Sequence, residues 1–125
     1  MNTLRAAIAE DHKIFRKGLI LSLKPYKHIE FVAEAGDGQE LIDQLNASAL
    51  PDIVLMDIRM PGMDGIEATL YMKKHFPQVH VICLTMFEEQ QFVDKMMQSG
   101  ACRYLLKNSE PHEINTAILQ VVDKG

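Results

Sequence analysis

Four short apolar runs in this chain are each followed by polar or charged residues. The runs are residues 6–9, 53–56, 81–84 and 105–106, and the residues that follow them are Glu10 and Asp11, Asp57, Thr85 and Lys107. If the runs are parallel strands of one sheet, these polar residues lie along one edge, where open α/β sheets bind their ligands. Clustered carboxylates repel one another unless a cation lies among them. The pattern therefore predicts a polar site that includes a cation.

Apolar runs alternate with segments of helical periodicity along the chain, which is typical of repeated β–α units and a mainly parallel sheet. The predicted strands are residues 4–9, 29–34, 53–57, 79–84 and 101–106. The predicted helices are residues 12–24, 38–47, 65–76, 88–99 and 110–123. The third strand is apolar on both faces and is expected at the centre of the sheet, whereas the second is more mixed and suits an edge.

Length and composition limit the class of protein. A chain of 125 residues suits one domain, residues 1–125, and its net charge of −4 argues against direct nucleic-acid binding by this segment. No apolar stretch approaches the roughly 20 residues of a membrane helix, and residues 1–5 lack a secretory signal, so we expect a cytoplasmic protein. Cys83 and Cys102 fall within predicted strands and are predicted to be buried free thiols.

Asp57 is the predicted centre of the site. It closes the most apolar strand and precedes a Pro/Gly-rich loop, residues 58–65, so we expect an exposed and fixed carboxylate there. An aspartate can attack phosphorus to form an acyl phosphate when a metal ion and hydrogen-bond donors screen the charge. Glu10 and Asp11 supply oxygen ligands suited to Mg²⁺. The remaining strand-end residues, a threonine and a lysine, are donors for the phosphoryl oxygens.

Each of these residues also has an ordinary structural explanation. Glu10 and Asp11 suit an acidic N-cap of the helix that follows, and Asp57 suits a turn. A threonine at a strand end and a solvated lysine are common. Four strand ends with compatible chemistry nevertheless favour one shared site.

The whole chain resembles the receiver domain of two-component response regulators. The matching residues, in order and spacing, are Glu10 and Asp11, Asp57 with segment 60–65, Thr85, and segment 104–107. Segments 11–19 and 100–107 are similar more narrowly to NarL/LuxR-type transcriptional regulators. The resemblance implies a flavodoxin-like α/β fold, a five-stranded parallel sheet of order 2-1-3-4-5 with five helices. It also implies a C-terminal helix-turn-helix DNA-binding domain beyond these residues.

The resemblance implies a phosphoacceptor and a metal site. Asp57 would take a phosphoryl group from a sensor histidine kinase in a Mg²⁺-dependent reaction. Asp11 would bind Mg²⁺ directly, Glu10 would act mostly through water, and the main-chain carbonyl of Arg59 would complete the protein's ligands together with Asp57.

The resemblance also implies a switch. Lys107 would pair with the phosphoryl group, Thr85 would move its hydroxyl toward it, and Tyr104 would turn inward as Thr85 moves. The protein would be a signalling switch that controls transcription, with self-phosphorylation and autodephosphorylation as its only activities. Its candidate partners are the sensor histidine kinase and a second copy of the chain, as a homodimer. A strip on the first helix, Lys13, Ile14, Arg16 and Lys17, would either dock a kinase or a second copy or be a solvated face.

Two departures from the family pattern keep alternatives open. Met86 occupies a position that is commonly small in the family, and Asn108 one that is often proline. The first alternative is a degenerate receiver that acts as a phosphorylation-independent interaction module. The second is a small aspartyl-phosphate phosphatase, which Arg59 disfavours because haloacid-dehalogenase-type phosphatases usually have a second acid at that position.

Overall fold

A computed structural model describes residues 3–86 and 90–124 of the chain. Strands and helices alternate within those residues as β1 (Leu4–Ala9), α1 (Lys13–Ser22), β2 (Ile29–Ala35), α2 (Gly38–Ala47), β3 (Ile53–Asp57), α3 (Gly65–His75), β4 (His80–Thr85), α4 (Gln90–Ser99), β5 (Arg103–Leu106) and α5 (Pro111–Lys124). The five strands form one parallel sheet in the order β2-β1-β3-β4-β5. The predicted fold and strand order are confirmed.

The central strand β3 is buried along its whole length because helices cover both faces of the sheet. Its residues alternate between the two faces, as in any strand. Val54 and Met56 belong to a core cluster shared with α2, α3 and α4, whereas Ile53 and Leu55 belong to a cluster shared with α1 and α5. The continuous apolar run that predicted a central strand is therefore explained by burial on two sides.

Parallel register brings the polar strand ends together. Ala9 is paired with Met56, so Glu10 and Asp57 follow at the same edge of the sheet. The backbone N–H of Lys107 donates to the carbonyl of Thr85 at 2.8 Å, which continues the β4–β5 ladder by one residue. The fold thus delivers a carboxylate, a hydroxyl and an ammonium to one edge.

Two predicted boundaries differ from the structure by two residues, and every other boundary within the described residues agrees to within one. Helix α1 ends at Ser22 rather than at residue 24, because residues 23–25 form a turn. Strand β5 begins at Arg103 rather than at residue 101, since Gly100 follows α4 with a φ of 123° and redirects the chain. The predicted start of the fourth helix, residue 88, lies outside the described residues.

The prediction that both cysteines are buried is wrong for Cys102. Cys83 has an exposed fraction of 0%, as expected for a central position in β4. Cys102 is exposed, because it precedes the first residue of an edge strand. Its sulfur lies 3.7 Å from Nδ1 of His80.

No helix in the described part of the chain has both the length and the apolar character needed to cross a membrane.

The start of α3 is packed directly against the end of β3. Asp64 caps this helix through a reciprocal pair of hydrogen bonds with Glu67. The next residue, Gly65, donates its N–H to the carbonyl of Ile58 at 2.7 Å. A Cβ atom at Gly65 would lie 2.0 Å from the carbonyl oxygen of Asp57, so only glycine allows this approach.

We expect opposite effects from alanine at two glycines. Gly65→Ala should lower the free energy of unfolding by about 1–3 kcal/mol, because backbone must move to admit the methyl group. Gly18→Ala should raise it by about 0.5–1 kcal/mol, since Gly18 is inside α1 and a Cβ there meets nothing within 4 Å. Urea unfolding of both variants measures the difference. Equal effects of the two substitutions would contradict this packing.

Candidate functional site

One ammonium group lies between two buried carboxylates at the edge of the sheet. Nζ of Lys107 is 2.6 Å from Oε1 of Glu10 and 3.2 Å from Oδ2 of Asp57. The exposed fractions of the Glu10, Asp57 and Lys107 side chains are 0%, 7% and 7%. When both carboxylates are ionised, this group of three carries one uncompensated negative charge in a poorly hydrated place.

This charge imbalance affects the pKa of Asp57 most. Its pKa is raised from 3.8 to about 6, chiefly because the carboxylate is buried and secondly because Glu10 is negatively charged beside it. Burial alone would raise the pKa of Glu10 as well, but hydrogen bonds from Lys107 and from the backbone of His12 lower it overall. Burial opposes the charged form of Lys107, yet its two carboxylate partners raise its pKa.

The prediction that the Asp57 carboxylate is exposed is wrong. Asp57 is the last residue of β3, and the loop after it folds back so that Ile58 and Met60 are buried as well. A Pro/Gly-rich loop therefore does not by itself leave the residue before it exposed. The carboxylate instead lines a cavity of about 170 Å³.

The segment between β1 and α1 brings two further ligand groups to the site. The backbone N–H of His12 donates to Oε2 of Glu10 at 2.8 Å, and Nδ1 of the His12 ring lies 3.0 Å from the same oxygen. Nδ1 is also 3.5 Å from Oδ1 of Asp11. The N-cap of α1 is His12 itself. The alternative explanation of Glu10 and Asp11 as the N-cap is therefore wrong.

Arg16 anchors the segment between β1 and α1 by hydrogen bonds. Its guanidinium donates to the main-chain carbonyl of Glu10 at 2.6 Å and to Oε1 of Glu34 on β2 at 3.0 Å. Lys17 binds the other carboxylate oxygen of Glu34 at 2.9 Å. Within the strip predicted on the first helix, Arg16 is thus turned inward, with a side chain only 14% exposed, while Ile14 is 90% exposed. Periodicity placed Arg16 on the right helix but did not reveal its carbonyl partner.

The donor set fits a divalent cation. Ligand atoms of Glu10, Asp11, His12 and Asp57 all lie within 4.8 Å of one another. Three of the four are carboxylates, the ligands that hard cations such as Mg²⁺ prefer. A cation would also supply the positive charge that Lys107 alone cannot.

The other predicted site residues surround the same cavity. Its lining consists of His12, Asp57, Ile58, Arg59, Thr85, Met86 and Lys107. Thr85 is buried, whereas Met86 is 57% exposed at the next position. The Arg59 guanidinium carbon lies 4.9 Å from the centre of the Phe92 ring, a cation–π contact with α4 that the sequence did not indicate.

Tyr104 is a predicted site residue that does not line this cavity. Tyr104 is on β5 and 41% exposed, so its ring is not turned inward in this conformation. Asn108 follows Lys107 through a trans peptide bond. The structure thus brings together the acids, Thr85 and Lys107, and leaves Tyr104 outside.

Comparison with known proteins identifies the family. The sequence profile described as "Response regulator receiver domain" matches residues 6–119. This chain belongs to the response regulator receiver family. The receiver is 39% identical over 122 residues to the transcriptional regulatory protein LiaR of Bacillus subtilis (strain 168), covering 98% of the chain and 57% of LiaR. It spans about half the length of the curated relatives it matches.

Solved structures agree with this assignment. A two-component response regulator of the LuxR family from Aurantimonas sp. SI85-9A1 has a TM-score of 0.90 and 32% identity, covering 98% of the receiver and 87% of that chain. The isolated receiver domain of RcsB from Salmonella enterica serovar Typhimurium, solved in the presence of phosphomimetic BeF3⁻, has a TM-score of 0.86 and 30% identity, covering 99% and 91%. The receiver is therefore of the NarL/LuxR type, as the resemblance predicted.

Asp57→Asn should stabilise the receiver when divalent cations are absent. Because the folded state raises the Asp57 pKa from 3.8 to about 6, the folded protein holds a proton that the unfolded chain has lost, and stability falls as pH rises through that range. The variant should exceed wild type by about 1–3 kcal/mol in unfolding free energy above about pH 7, and by little near pH 4. Urea unfolding of wild type and Asp57→Asn between about pH 4 and about pH 7 measures the difference in unfolding free energy. A less stable Asp57→Asn variant at neutral pH would contradict the charge imbalance.

Proposed function

We propose that this receiver accepts a phosphoryl group on Asp57 from the phosphohistidine of a sensor kinase, in a Mg²⁺-dependent reaction, and changes conformation to control transcription. The observation that carries the proposal is the position of Asp57 beside Lys107, in the lining of a cavity that Thr85 also lines. The acidic residues within ligand distance of Asp57 support the need for a cation.

Asp57 is the nucleophile in this proposal. One of its carboxylate oxygens forms a bond to phosphorus as the bond between phosphorus and the histidine nitrogen of the kinase breaks. The electron pair of that bond returns to the imidazole, which leaves as a neutral ring after proton exchange with solvent. Although its pKa is raised to about 6, Asp57 is largely ionised at neutral pH and therefore available to attack.

Mg²⁺ would be held by Asp11 and Asp57, with Glu10 acting through water and the carbonyl of Arg59 as a further ligand. When bound, the ion offsets the negative charge that accumulates between carboxylate and phosphoryl oxygens. Lys107 would donate to the phosphoryl group, because its ammonium already contacts Asp57. Hydrolysis of the acyl phosphate then resets the protein, so the receiver is a switch rather than an enzyme acting on external substrates.

The switch connects the phosphoryl group to the β4–β5 side of the sheet. The buried hydroxyl of Thr85 turns toward the phosphoryl group, and the exposed Tyr104 ring moves inward behind it. Two charge-assisted hydrogen bonds contribute about 1.5–3 kcal/mol each, but Lys107 is already paired with Asp57 before phosphorylation, so its share is smaller. About 5.5 kcal/mol is needed to shift an equilibrium from 1:99 to 99:1. We therefore expect a partial shift that formation of a homodimer completes.

The output lies in a second domain. The receiver spans about half the length of its curated relatives, which include transcriptional regulatory proteins. We propose that a C-terminal DNA-binding domain follows residue 125 and that the receiver itself does not bind nucleic acid. Localisation in the cytoplasm, where such a kinase and DNA would both be available, belongs to the same proposal.

A phosphorylation assay tests the proposal. Wild-type protein incubated with Mg²⁺ and acetyl phosphate should gain the mass of one phosphoryl group, and Asp57→Asn should gain none. Asp43→Asn is the matched control, because Asp43 is an exposed aspartate on α2. Within the described residues, its side chain accepts a hydrogen bond from Gln39. No adduct at saturating donor would favour the interaction module. Repeated turnover of assorted phosphomonoesters would favour the phosphatase.

Arg16 and Lys17 should differ in their effect on Mg²⁺ binding. Both bind Glu34, but only Arg16 also holds the main-chain carbonyl of Glu10. Arg16→Ala should weaken Mg²⁺ binding by about tenfold, as expected for a residue that orients a ligand segment, while Lys17→Ala should change it less than about twofold. Isothermal titration calorimetry measures both dissociation constants. Equal effects would show that Arg16 acts only through Glu34.

A further inference from the structure

We propose that the imidazole of His12 is a ligand in the acidic site and that it makes the site bind nitrogen-preferring divalent cations, such as Ni²⁺, Co²⁺ and Zn²⁺, in competition with Mg²⁺. The inference rests on the proposed function only in that both place a divalent cation among the same carboxylates. It adds a donor that an all-oxygen magnesium site does not use.

The distances around His12 are those of neighbouring ligands on one ion. Nδ1 of His12 is 3.0 Å from Oε2 of Glu10 and 3.5 Å from Oδ1 of Asp11. With metal–ligand bonds of about 2.1 Å, adjacent ligands are roughly 3.0 Å apart in an octahedral site and roughly 3.4 Å apart in a tetrahedral one. The imidazole nitrogen therefore already has the spacing of a third ligand beside two carboxylates.

The two oxygens of Glu10 are divided between different partners. Oε1 contacts the ammonium of Lys107, and Oε2 faces His12. The backbone N–H of His12 also holds Oε2 at 2.8 Å. The ring can therefore exchange its contact with Oε2 for a bond to a cation while the backbone keeps the carboxylate in place.

His12 can reach the site without unfolding anything. Its side chain is 67% exposed, so the ring is free to adjust, and it lines the same cavity as Asp57 and Thr85. Glu10 and Asp57, by contrast, are at least nine-tenths buried and fixed. An exposed nitrogen ligand beside a buried pair of carboxylates is suited to complete a site after the cation has entered.

An imidazole ligand makes the site select between divalent cations. Mg²⁺ prefers oxygen ligands and keeps several waters, so it gains little from an imidazole. Imidazole favours Ni²⁺, Cu²⁺ and Zn²⁺, whose affinities for a given site also exceed those of lighter divalent cations. A bound ion of this kind would occupy the magnesium position and hold the His12 ring at the mouth of the cavity. Excess of such a metal should therefore slow phosphorylation of Asp57.

The test compares two cations on two histidine variants. Dissociation constants for Ni²⁺ and for Mg²⁺ are measured by calorimetry on protein without a polyhistidine tag. His12→Gln should weaken Ni²⁺ binding by about tenfold or more and change Mg²⁺ binding less than about twofold. His112→Gln, at an exposed position in the first turn of α5, should change neither. Unchanged Mg²⁺ affinity also demonstrates that His12→Gln is folded.

A direct readout supplements the affinities. In spectra of ¹⁵N-histidine-labelled protein, Zn²⁺ should shift the ring nitrogens of His12 and leave those of His112 in place. The inference is overturned if His12→Gln retains full Ni²⁺ affinity, or if Ni²⁺ and Mg²⁺ affinities fall together. Its failure is distinguishable from failure of the proposed function, because the inference is tested by the Ni²⁺ affinity of His12→Gln and the proposed function by the phosphoryl mass gain of wild type against Asp57→Asn. Conversely, loss of Ni²⁺ affinity in that variant would support the inference even if Asp57 accepted no phosphate.

Discussion

The contact of one ammonium with two buried carboxylates is the interaction on which the rest of the site depends. Lys107 pairs with both Glu10 and Asp57, and all three side chains are almost fully withdrawn from solvent. A lysine can offset one negative charge and not two. The remaining charge appears as a raised Asp57 pKa, and Asp11 adds a further carboxylate to the same group of potential cation ligands. In the function that we propose, phosphorylation would replace this unfavourable carboxylate by a phosphoryl group whose charge Lys107 and a cation would offset.

The parallel sheet brings the two carboxylates and the ammonium together. Glu10, Asp57 and Lys107 are far apart in the chain, and they meet because β1, β3 and β5 are parallel and end at the same edge. Close packing then fixes the group. Gly65 lets α3 approach the carbonyl of Asp57, and Arg16 ties the carbonyl of Glu10 to β2. These supports are far weaker individually than the burial of the strands, but they decide where the charged atoms lie.

Most of the fold could be predicted from the sequence, since hydrophobic periodicity and burial determine it. Four apolar runs and a more mixed edge strand alternate with helical segments, and the central strand is apolar on both faces. The members of the site could be predicted too, because parallel strands align their ends. Burial of Asp57 and exposure of Cys102 could not, since both depend on how a loop or an edge is covered by residues distant in sequence. The inward turn of Arg16 depends on a main-chain carbonyl partner, and the position of the His12 ring depends on how the backbone turns after Glu10, and no side-chain pattern encodes either.

The pKa of Asp57, with and without Mg²⁺, tests the central claim most directly. Titration of its side-chain carboxyl carbon by NMR isolates this group from the other acids of the receiver. The charge imbalance predicts a pKa of about 6 in the absence of divalent cations and a marked fall when Mg²⁺ is added. A pKa at or below the ordinary value of 3.8 that Mg²⁺ does not move would contradict the account.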